Sequence, residues 1–396
     1  MKTAIIGGGA SGIAAAIHIK RINPGAEVTV FERNDRILRK LPATGNGRCN
    51  LSNADISPKC YVSKSPACVE KVLSLYPLSE EKRFFESLGI LFCEEQGRIY
   101  PMSFRATAVS DALRLCAESL GVNVLLNTRI KTLQRKNYAY FCDGKRFDRV
   151  IIASGGAAAP SFGTDGSSFK LLKELGHTIV PPSCALVPIY TKENTKPLKG
   201  VRARAAVFVI RGTHTLSTER GEIQFTDYGL SGIAIMQLSA ALKKGDILML
   251  DFCFDYDAPA LSDLLKKRRT ALSYLSCVDF LTGIVHKSIA AEILSRLKIK
   301  PARSVTSLSE KELFDICALL KGLKFTFEKN LGFESAQVTR GGALLDEFFP
   351  ETLESRLLPG LYCIGEALDA AGKCGGYNLH WAWATAAICA AGAASE

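Results

Sequence analysis

Cysteine pairs at redox or metal-binding spacing are missing from this 396-residue chain, although it contains 13 cysteines. No two of them form CxxC or CxxxxC, and no paired cysteine and histidine sets stand at zinc-ligand separations. Dithiol chemistry and structural zinc are therefore not expected, and neither is any other metal site. The start "MKTAIIGGGASG" lacks the apolar region of a secretory signal, so we expect reduced thiols and a cytoplasmic protein.

Long apolar runs are also scarce. The longest extends from Leu379 to Ala394 and is interrupted by His380. A membrane helix needs roughly 20 apolar residues, so this run predicts a buried helix and no membrane partner.

Basic residues are in excess, with a formal net charge of +11, but they do not form a stripe interleaved with aromatic residues. The densest run, "KKRR" at residues 266–269, is most simply a solvated helix face, and contact with a polyanion is the alternative. Nucleic acid is thus not the expected partner. An anionic cofactor or substrate also suits this charge.

A dinucleotide-binding fingerprint is present at the N-terminus. "KTAIIGGG" predicts a short buried strand and a glycine turn, and "SGIAAAIHIKRI" predicts a helix. Gly7, Gly9 and Gly12 form GxGxxG, and a second strand ends at Glu32, 20 residues beyond Gly12. The glycines permit a tight turn, close approach to a pyrophosphate and close helix packing, while the acid accepts hydrogen bonds from ribose hydroxyls.

Three further segments are rich in the small residues that a cofactor needs. "ATGNGRCNLSN" at 43–53 combines glycines and asparagines with a fixed positive charge, as expected where a chain wraps an anion. "RVIIASGG" at 149–156 predicts a buried strand that ends in a close-approach turn. "GLYCIGEALDAAGKCGGYNLHWAWATAAICAAG" at 360–392 predicts a strand, a glycine turn and a helix whose N-terminus favours an anionic group.

These segments together resemble the BaiN/RdsA-like family (the YhiN group) of bacterial FAD-dependent oxidoreductases. Members carry a GGGxSG start, a TGNGRCNxxN loop, an ATGG-type strand and a terminal GExLDxxGxxGGYNLQxA motif, and the likeness covers nearly the whole chain, including "TDYGLSG" at 226–232. This chain departs from the pattern at Ser154, Ile233, His380 and the Thr385–Ala386 pair. His380 stands where a glutamine is common, so it raises the question of an altered substrate pocket.

The motifs and the resemblance imply FAD as the cofactor, and they assign its contacts to residues at both ends of the chain. The expected FAD contacts are Gly7, Gly9, Ala10, Ser11, Gly12, Glu32, Arg33, Lys40, Asn46, Gly47, Arg48, Cys49, Asn50, Ile130, Ala153, Ser154, Gly155, Gly365, Glu366, Asp369, Gly376, Tyr377, Asn378 and Leu379.

The implied fold is α/β: a two-dinucleotide-binding-type, Rossmann-like FAD domain interrupted by a β-rich insert and a small helical insert. The predicted FAD-binding domain comprises residues 1–186 and 346–396, the β-rich insert 187–257 and 324–345, and the helical insert 258–323. In the helical insert, Ser309 followed by Glu312 has the spacing of a capping box.

The sequence specifies the reaction less closely than the cofactor and the fold. The chain has one GxGxxG, which FAD occupies, so NAD(P)H as electron donor would dock transiently without its own nucleotide fold. The resemblance implies NAD(P)H-linked reduction of an activated C=C bond in a small molecule such as a bile-acid-intermediate-like enone. The alternatives are an oxygen-using oxidase of a small, aminoacetone-like amine, a flavin-dependent RNA-modifying enzyme and a non-catalytic binding protein. Arg340 and His380 are the candidate catalytic residues, and the oligomeric state is left open.

Overall fold

The computed structural model describes residues 1–394 and divides the chain into two compact units. The first unit comprises Met1–Ala185 and Ala336–Glu396, and the second comprises Leu186–Ser335. The predicted helical insert and residues 187–257 and 324–335 of the predicted β-rich insert lie in the second unit. Residues 336–345, predicted with the β-rich insert, lie in the first unit because their strand pairs there with residues 179–185.

The strands of the first unit are β1 (Lys2–Ile6), β2 (Glu27–Phe31), β3 (Ser52–Asn53), β4 (Tyr61–Val62), β5 (Phe92–Glu95), β6 (Arg98–Pro101), β7 (Asn123–Leu125), β8 (Leu133–Lys136), β9 (Ala139–Cys142), β10 (Lys145–Phe147), β11 (Arg149–Ile152), β12 (Ile179–Ala185), β19 (Val338–Ala343), β20 (Leu361–Cys363) and β21 (Ala371–Gly372). Its helices are α1 (Ala10–Ile22), α2 (Pro66–Leu75), α3 (Leu78–Glu86), α4 (Ala106–Ser119), α5 (Ser167–Glu174) and α11 (Tyr377–Ala394).

The second unit contains the strands β13 (Ile189–Thr191), β14 (Arg202–Arg211), β15 (His214–Phe225), β16 (Gly229–Ser231), β17 (Ile247–Asp251) and β18 (Leu323–Asn330). Its helices are α6 (Ile233–Leu238), α7 (Ala258–Ala271), α8 (Cys277–Phe280), α9 (Lys287–Arg296) and α10 (Glu310–Gly322).

A five-stranded parallel sheet forms the centre of the first unit, in the order β20-β11-β1-β2-β7. Its strands are short apolar runs because a parallel sheet is covered on both faces. The carboxyl ends of β1, β2, β11 and β20 lie at one edge, and the four predicted cofactor segments begin there or follow closely. This sheet confirms the predicted Rossmann-like α/β class, in which ligands bind at the carboxyl edge.

The second unit is built on a closed barrel in the order β13-β16-β15-β14-β17-β18. Alternate residues of β14 and β17 face a core shared with α7 to α10. Ser309 caps α10: its side chain accepts from the N–H of Glu312, whose carboxylate accepts from the N–H of Ser309. The predicted capping box is therefore confirmed.

The strands that lead out of and back into the first unit lie side by side. β12 and β19 pair antiparallel, with Ala185 opposite Val338. Residues 186–335 thus leave and return at neighbouring positions of one strand pair. Within residues 1–394, the structure contains no helix long and apolar enough to cross a membrane.

Candidate functional site

The glycine turn after β1 has the geometry that the fingerprint predicts. Gly7 has a φ of +115°, and a Cβ on it would lie 2.5 Å from the Ala153 carbonyl oxygen, at the end of β11. A Cβ on Gly12 would lie 2.0 Å from the Gly7 oxygen, whereas one on Gly9 would meet no other described atom within 4 Å. Gly7 and Gly12 therefore permit close packing, and Gly9 leaves open space before the first turn of α1. The N–H groups of that turn lack intrahelical acceptors and suit a diphosphate.

Glu32, directly after β2, holds the glycine turn in place. Its Oε2 accepts from the Gly8 N–H at 2.9 Å, and its Oε1 accepts from the backbone and side-chain N–H groups of Asn34, both at 2.8 Å. The side chain is buried at the carboxyl edge of the sheet. It is placed where the acid of a dinucleotide fingerprint accepts from ribose.

Arg33 contacts an acid of another segment. Its Nη1 lies 2.6 Å from Asp165 Oδ2, and Arg129, next to the buried Ile130, contacts the same oxygen at 3.3 Å. Burial of Asp165 opposes ionisation, but hydrogen bonds from Ser167 and Arg33 outweigh it and lower its pKa to about 2. The charge of Arg33 is therefore balanced within the protein.

The two positive charges predicted to face the cofactor anion are also paired. Lys40 Nζ lies 3.1 Å from Glu366 Oε2, and Arg48 Nη1 lies 3.3 Å from Glu95 Oε2. The Arg48 guanidinium also lies over the rings of Tyr100 and Phe104, at 4.9 and 5.4 Å from their centroids. Backbone N–H groups and the N-terminus of α1 are therefore the main groups available to a diphosphate.

The loop at 43–53 adopts a backbone that favours glycine and asparagine. Gly45, Asn46 and Gly47 have φ values of +57°, +55° and +84°, and all three are exposed. Cys49 also has a positive φ, but it is fully buried, and burial raises the pKa of its thiol to about 12. Cys49 is therefore a packing residue rather than a nucleophile at neutral pH.

Unsatisfied polar atoms test whether the site suits a dinucleotide. Asn50 Oδ1 and Ser154 Oγ are buried and have no hydrogen-bond partner within residues 1–394. Ser154 directly follows Ala153, against which Gly7 packs, and the next residue, Gly155, has a φ of +72°. Buried polar groups without partners cost free energy unless a ligand satisfies them. The residues present therefore fit a polar, extended group such as FAD.

The C-terminal segment meets the N-terminal one at two contacts. A Cβ on Gly365 would lie 2.6 Å from Ser11 Oγ in α1, and a Cβ on Gly376 would lie 2.2 Å from the Ser52 carbonyl oxygen. Both glycines have positive φ values. The structure thus brings the terminal glycine motif against the fingerprint helix and the 43–53 loop.

The polar side chains of the C-terminal motif are largely bound to the backbone. Asp369 Oδ2 accepts from the Lys64 N–H at 2.8 Å, and burial raises the pKa of Asp369, an effect that the nearby positive Arg340 partly offsets. Asn378 is hydrogen-bonded to both the N–H and the carbonyl of Gly372, and the Tyr377 carbonyl accepts from Tyr61. These side chains fix the turn before α11, while Leu379, in the first turn of α11, is half-buried.

The two candidate catalytic residues lie in different settings. Arg340 lies on β19, opposite Ser183 in the register, and is half-buried. His380 has no exposed surface, and its Nδ1 lies 2.6 Å from Glu81 Oε2 on α3. The sequence reasoning missed Glu81, which carries no motif and lies 299 positions from its partner.

Thr339 is a second residue that the sequence reasoning missed. Its Oγ1 accepts from the N–H groups of Ala157 and Ala158, and its own N–H donates to Glu366 Oε1. It therefore links the turn after β11 to the turn after β20. Its position directly before the "RGG" of β19 was the only available signal.

Comparisons with known proteins identify the family of this chain. The model of the family described as HI0933-like protein Rossmann domain matches residues 1–392. A 3-dehydro-bile acid delta(4,6)-reductase of Clostridium scindens is 37% identical over 403 residues, covering 99% of this chain and 98% of that protein. A ribosomal RNA dihydrouridine synthase of Escherichia coli is 27% identical, covering 98% of this chain and 96% of that protein, and its Haemophilus influenzae counterpart is 25% identical with the same shares.

Among solved structures, a 3-ketosteroid delta1-dehydrogenase from Sterolibacterium denitrificans superposes with a TM-score of 0.50 at 13% identity, covering 98% of this chain and 99% of that one. This likeness concerns the fold alone. The family match extends over nearly the whole chain and agrees with the glycine turn, the buried acid and the converging C-terminal segment. The chain belongs to the HI0933-like Rossmann domain family, and it is an FAD-binding oxidoreductase.

Proposed function

We propose that this enzyme transfers a hydride from NADH or NADPH, through FAD, to a carbon–carbon double bond conjugated to a carbonyl in a small molecule such as a bile-acid intermediate. The observation that carries the proposal is the 37% identity, over 99% of the chain, with a protein named as a bile-acid delta(4,6)-reductase. Relatives named as dihydrouridine synthases support the same bond class, because forming dihydrouridine also saturates a ring double bond conjugated to a carbonyl.

The step balances with a nicotinamide as the reductant. A hydride reaches the β-carbon, a proton reaches the α-carbon, and oxidised nicotinamide is released. When bound, FAD would supply the two-electron carrier between the nicotinamide and the substrate. Because the chain has one fingerprint, at Gly7 to Gly12, the nicotinamide would dock transiently rather than in its own nucleotide fold.

The residues of the first unit would hold the cofactor and polarise the substrate. The first turn of α1 would bind the diphosphate, and Glu32 would bind ribose. Arg340 is our candidate for contact with the substrate carbonyl, because a cation there stabilises the negative charge that develops on the oxygen. Its proximity to the buried Asp369 supports a fixed guanidinium.

Reduction of uridine in ribosomal RNA is the second candidate function. The two relatives named as ribosomal RNA dihydrouridine synthases favour it, and so does the net charge of +11. It uses the same hydride and proton chemistry on a much larger substrate, and it predicts RNA binding that weakens steeply with salt.

Anaerobic reduction followed by reoxidation tests these proposals. The purified flavoprotein is titrated with NADH and NADPH separately, and bleaching of the visible flavin band is expected with at least one. Reduced protein is then mixed with a 3-oxo-4,6-diene steroid, an unmodified ribosomal RNA transcript, or oxygen with and without aminoacetone. Rapid reoxidation by the steroid supports the primary proposal.

The other outcomes assign the function differently. Absence of bleaching with both nucleotides would remove the nicotinamide step. Reoxidation by RNA and not by steroid would favour the second candidate, and oxygen uptake that depends on the amine would indicate an oxidase. Gly9→Val is the flavin-free control, with Gly25→Ala in an exposed turn as its matched substitution.

A further inference from the structure

Three consecutive residues at the end of the 43–53 loop form hydrogen bonds to residues at or near the start of α11. Each forms a hydrogen bond across more than 300 positions of sequence: Leu51 O with Trp383 Nε1 at 3.3 Å, Ser52 Oγ with His380 Nδ1 at 3.0 Å, and Asn53 Nδ2 with Gly375 O at 2.9 Å. The Ser52 and His380 contact is the only ionisable one of the three. The loop is therefore hydrogen-bonded to the turn before α11 and to the first two turns of this helix.

Glu81 joins this contact from α3. Its Oε2 lies 2.6 Å from His380 Nδ1, and the side chains of Glu81 and His380 have no exposed surface. Ser52 is also fully buried. Serine, histidine and glutamate thus form a closed polar cluster between three elements of the first unit.

The charge state of this cluster follows from its surroundings. The other titratable groups that face Glu81 are the side chains of Cys49, Tyr61 and Tyr76, which are neutral at physiological pH, together with Lys82 on the same helix. Glu80, its other neighbour on α3, acts on Tyr76. A single uncompensated charge in such a place is costly, which favours an acid and an imidazole that are neutral as a pair.

A charge added to Glu81 or His380 would have no further hydrogen-bond partner to stabilise it. Glu81 Oε1 and His380 Nε2 are buried and have no partner within the described chain. Burial raises the pKa of Glu81, and hydrogen bonds from His380 and Ser52 oppose that effect. Both gain and loss of a proton would therefore strain the contact between loop and helix.

We propose that Glu81, His380 and Ser52 form a positioning site that holds one shared proton, and that gain or loss of this proton weakens FAD binding by loosening the 43–53 loop from α11. The inference rests on the proposed FAD site. In this inference His380 positions the 43–53 loop and does not contact the substrate.

Two substitutions should shift the pH dependence of FAD binding in opposite directions. His380→Gln keeps an amide that can donate to Glu81 but cannot take up its proton, so Glu81 must stay protonated. Because burial raises the pKa of Glu81, FAD affinity of this variant is lost as the pH rises. Glu81→Gln leaves an imidazole without an acid, so protonation creates a lone buried charge and affinity is lost as the pH falls.

The measurement is the dissociation constant of FAD, by quenching of flavin fluorescence, for each protein across a pH series from acid to alkaline. We expect about a tenfold weakening at the sensitive end for each variant, which corresponds to about 1.4 kcal/mol, and little change at the other end. His177→Gln is the matched control, because His177 lies in a similar buried serine and glutamate cluster that does not include the 43–53 loop. That control should bind FAD as the wild type does.

The possible results separate this inference from the proposed function. Opposite slopes for the two variants support the shared proton. Equal, pH-independent weakening in both would show a purely structural role and overturn it. A wild-type protein that does not bind FAD at any pH would overturn the proposed site itself.

Discussion

The carboxylate of Glu32 accepts a hydrogen bond from the backbone N–H of Gly8, with 2.9 Å between Oε2 and the nitrogen. The acid of the fingerprint therefore stabilises the glycine turn as well as being placed for a ribose. The glycine turn depends on this side chain, which is also our proposed ribose contact.

Substitution of Glu32 should consequently lower stability even without FAD. Glu32→Gln weakens the bonds from Gly8 and Asn34, and we expect a loss of about 1 to 3 kcal/mol in the free energy of unfolding. Urea denaturation of FAD-free protein measures it. Glu27→Gln, at an exposed ion pair with Lys2, should cost at most about 1 kcal/mol. Equal losses in both variants would contradict the role of Glu32.

Gly9 and Gly12 should respond differently to an added side chain. Gly9→Val fills open space, so the protein should fold normally but lose FAD binding. Gly12→Ala places a Cβ 2.0 Å from the Gly7 oxygen, so it should lower the melting temperature before any ligand is added. Thermal unfolding and FAD titration of both variants check this. Strong FAD binding by Gly9→Val would place the diphosphate elsewhere.

Lys40 should contribute little to FAD affinity because its charge is paired with Glu366. A double-mutant cycle with Lys40→Met and Glu366→Gln should give a coupling energy of about 1 kcal/mol or less, as is usual for partly exposed pairs. Lys40→Met should weaken FAD binding only a few-fold. A salt-sensitive loss of a hundredfold would instead show direct contact with phosphate.

The cluster of His177, Glu347 and Ser355 should govern acid stability. His177 Nδ1 lies 2.8 Å from Glu347 Oε2, and its Nε2 lies 2.9 Å from Ser355 Oγ. Burial of Glu347 opposes ionisation, but hydrogen bonds from Thr178 and His177 outweigh it and hold its pKa below the ordinary value. The stability that it contributes is thus present above the pKa of the unfolded chain and is lost as the pH falls through the lower folded value.

Glu347→Gln should therefore show a smaller loss of stability on acidification than the wild type, when unfolding is followed at several pH values. Ser355→Ala should cost about 1 to 3 kcal/mol, since it removes a buried acceptor of two N–H groups and a partner of His177. FAD affinity should be unchanged in both variants. A parallel fall in FAD affinity would mean that this cluster also supports the cofactor site.

Short sequence patterns predicted the structural features that depend on residues close to one another in the sequence. The glycine turn, the spacing to Glu32 and the capping box at Ser309 each depend on residues within one short segment, or on two neighbouring strands, and the structure confirms their geometry. The parallel sheet follows from the same segments. Family resemblance added the terminal glycine motif, which sequence spacing alone does not connect to Gly7.

Contacts between distant segments could not be predicted in this way. Lys40 and Arg48 are predicted to contact the cofactor, and no sequence pattern predicts that the fold pairs them with Glu366 and Glu95. Glu81 carries no motif in the sequence, and only the packing of α3 against α11 shows that it is buried. Charge in a sequence gives the sign of an interaction but not its partner.

The pairing of Ala185 with Val338 has a consequence for how this protein can change. The second unit is a segment of 150 residues that begins and ends beside this one pair of opposed residues, so a short turn could replace it. The length of the segment between β12 and β19 can therefore change without changing the pairing of these two strands.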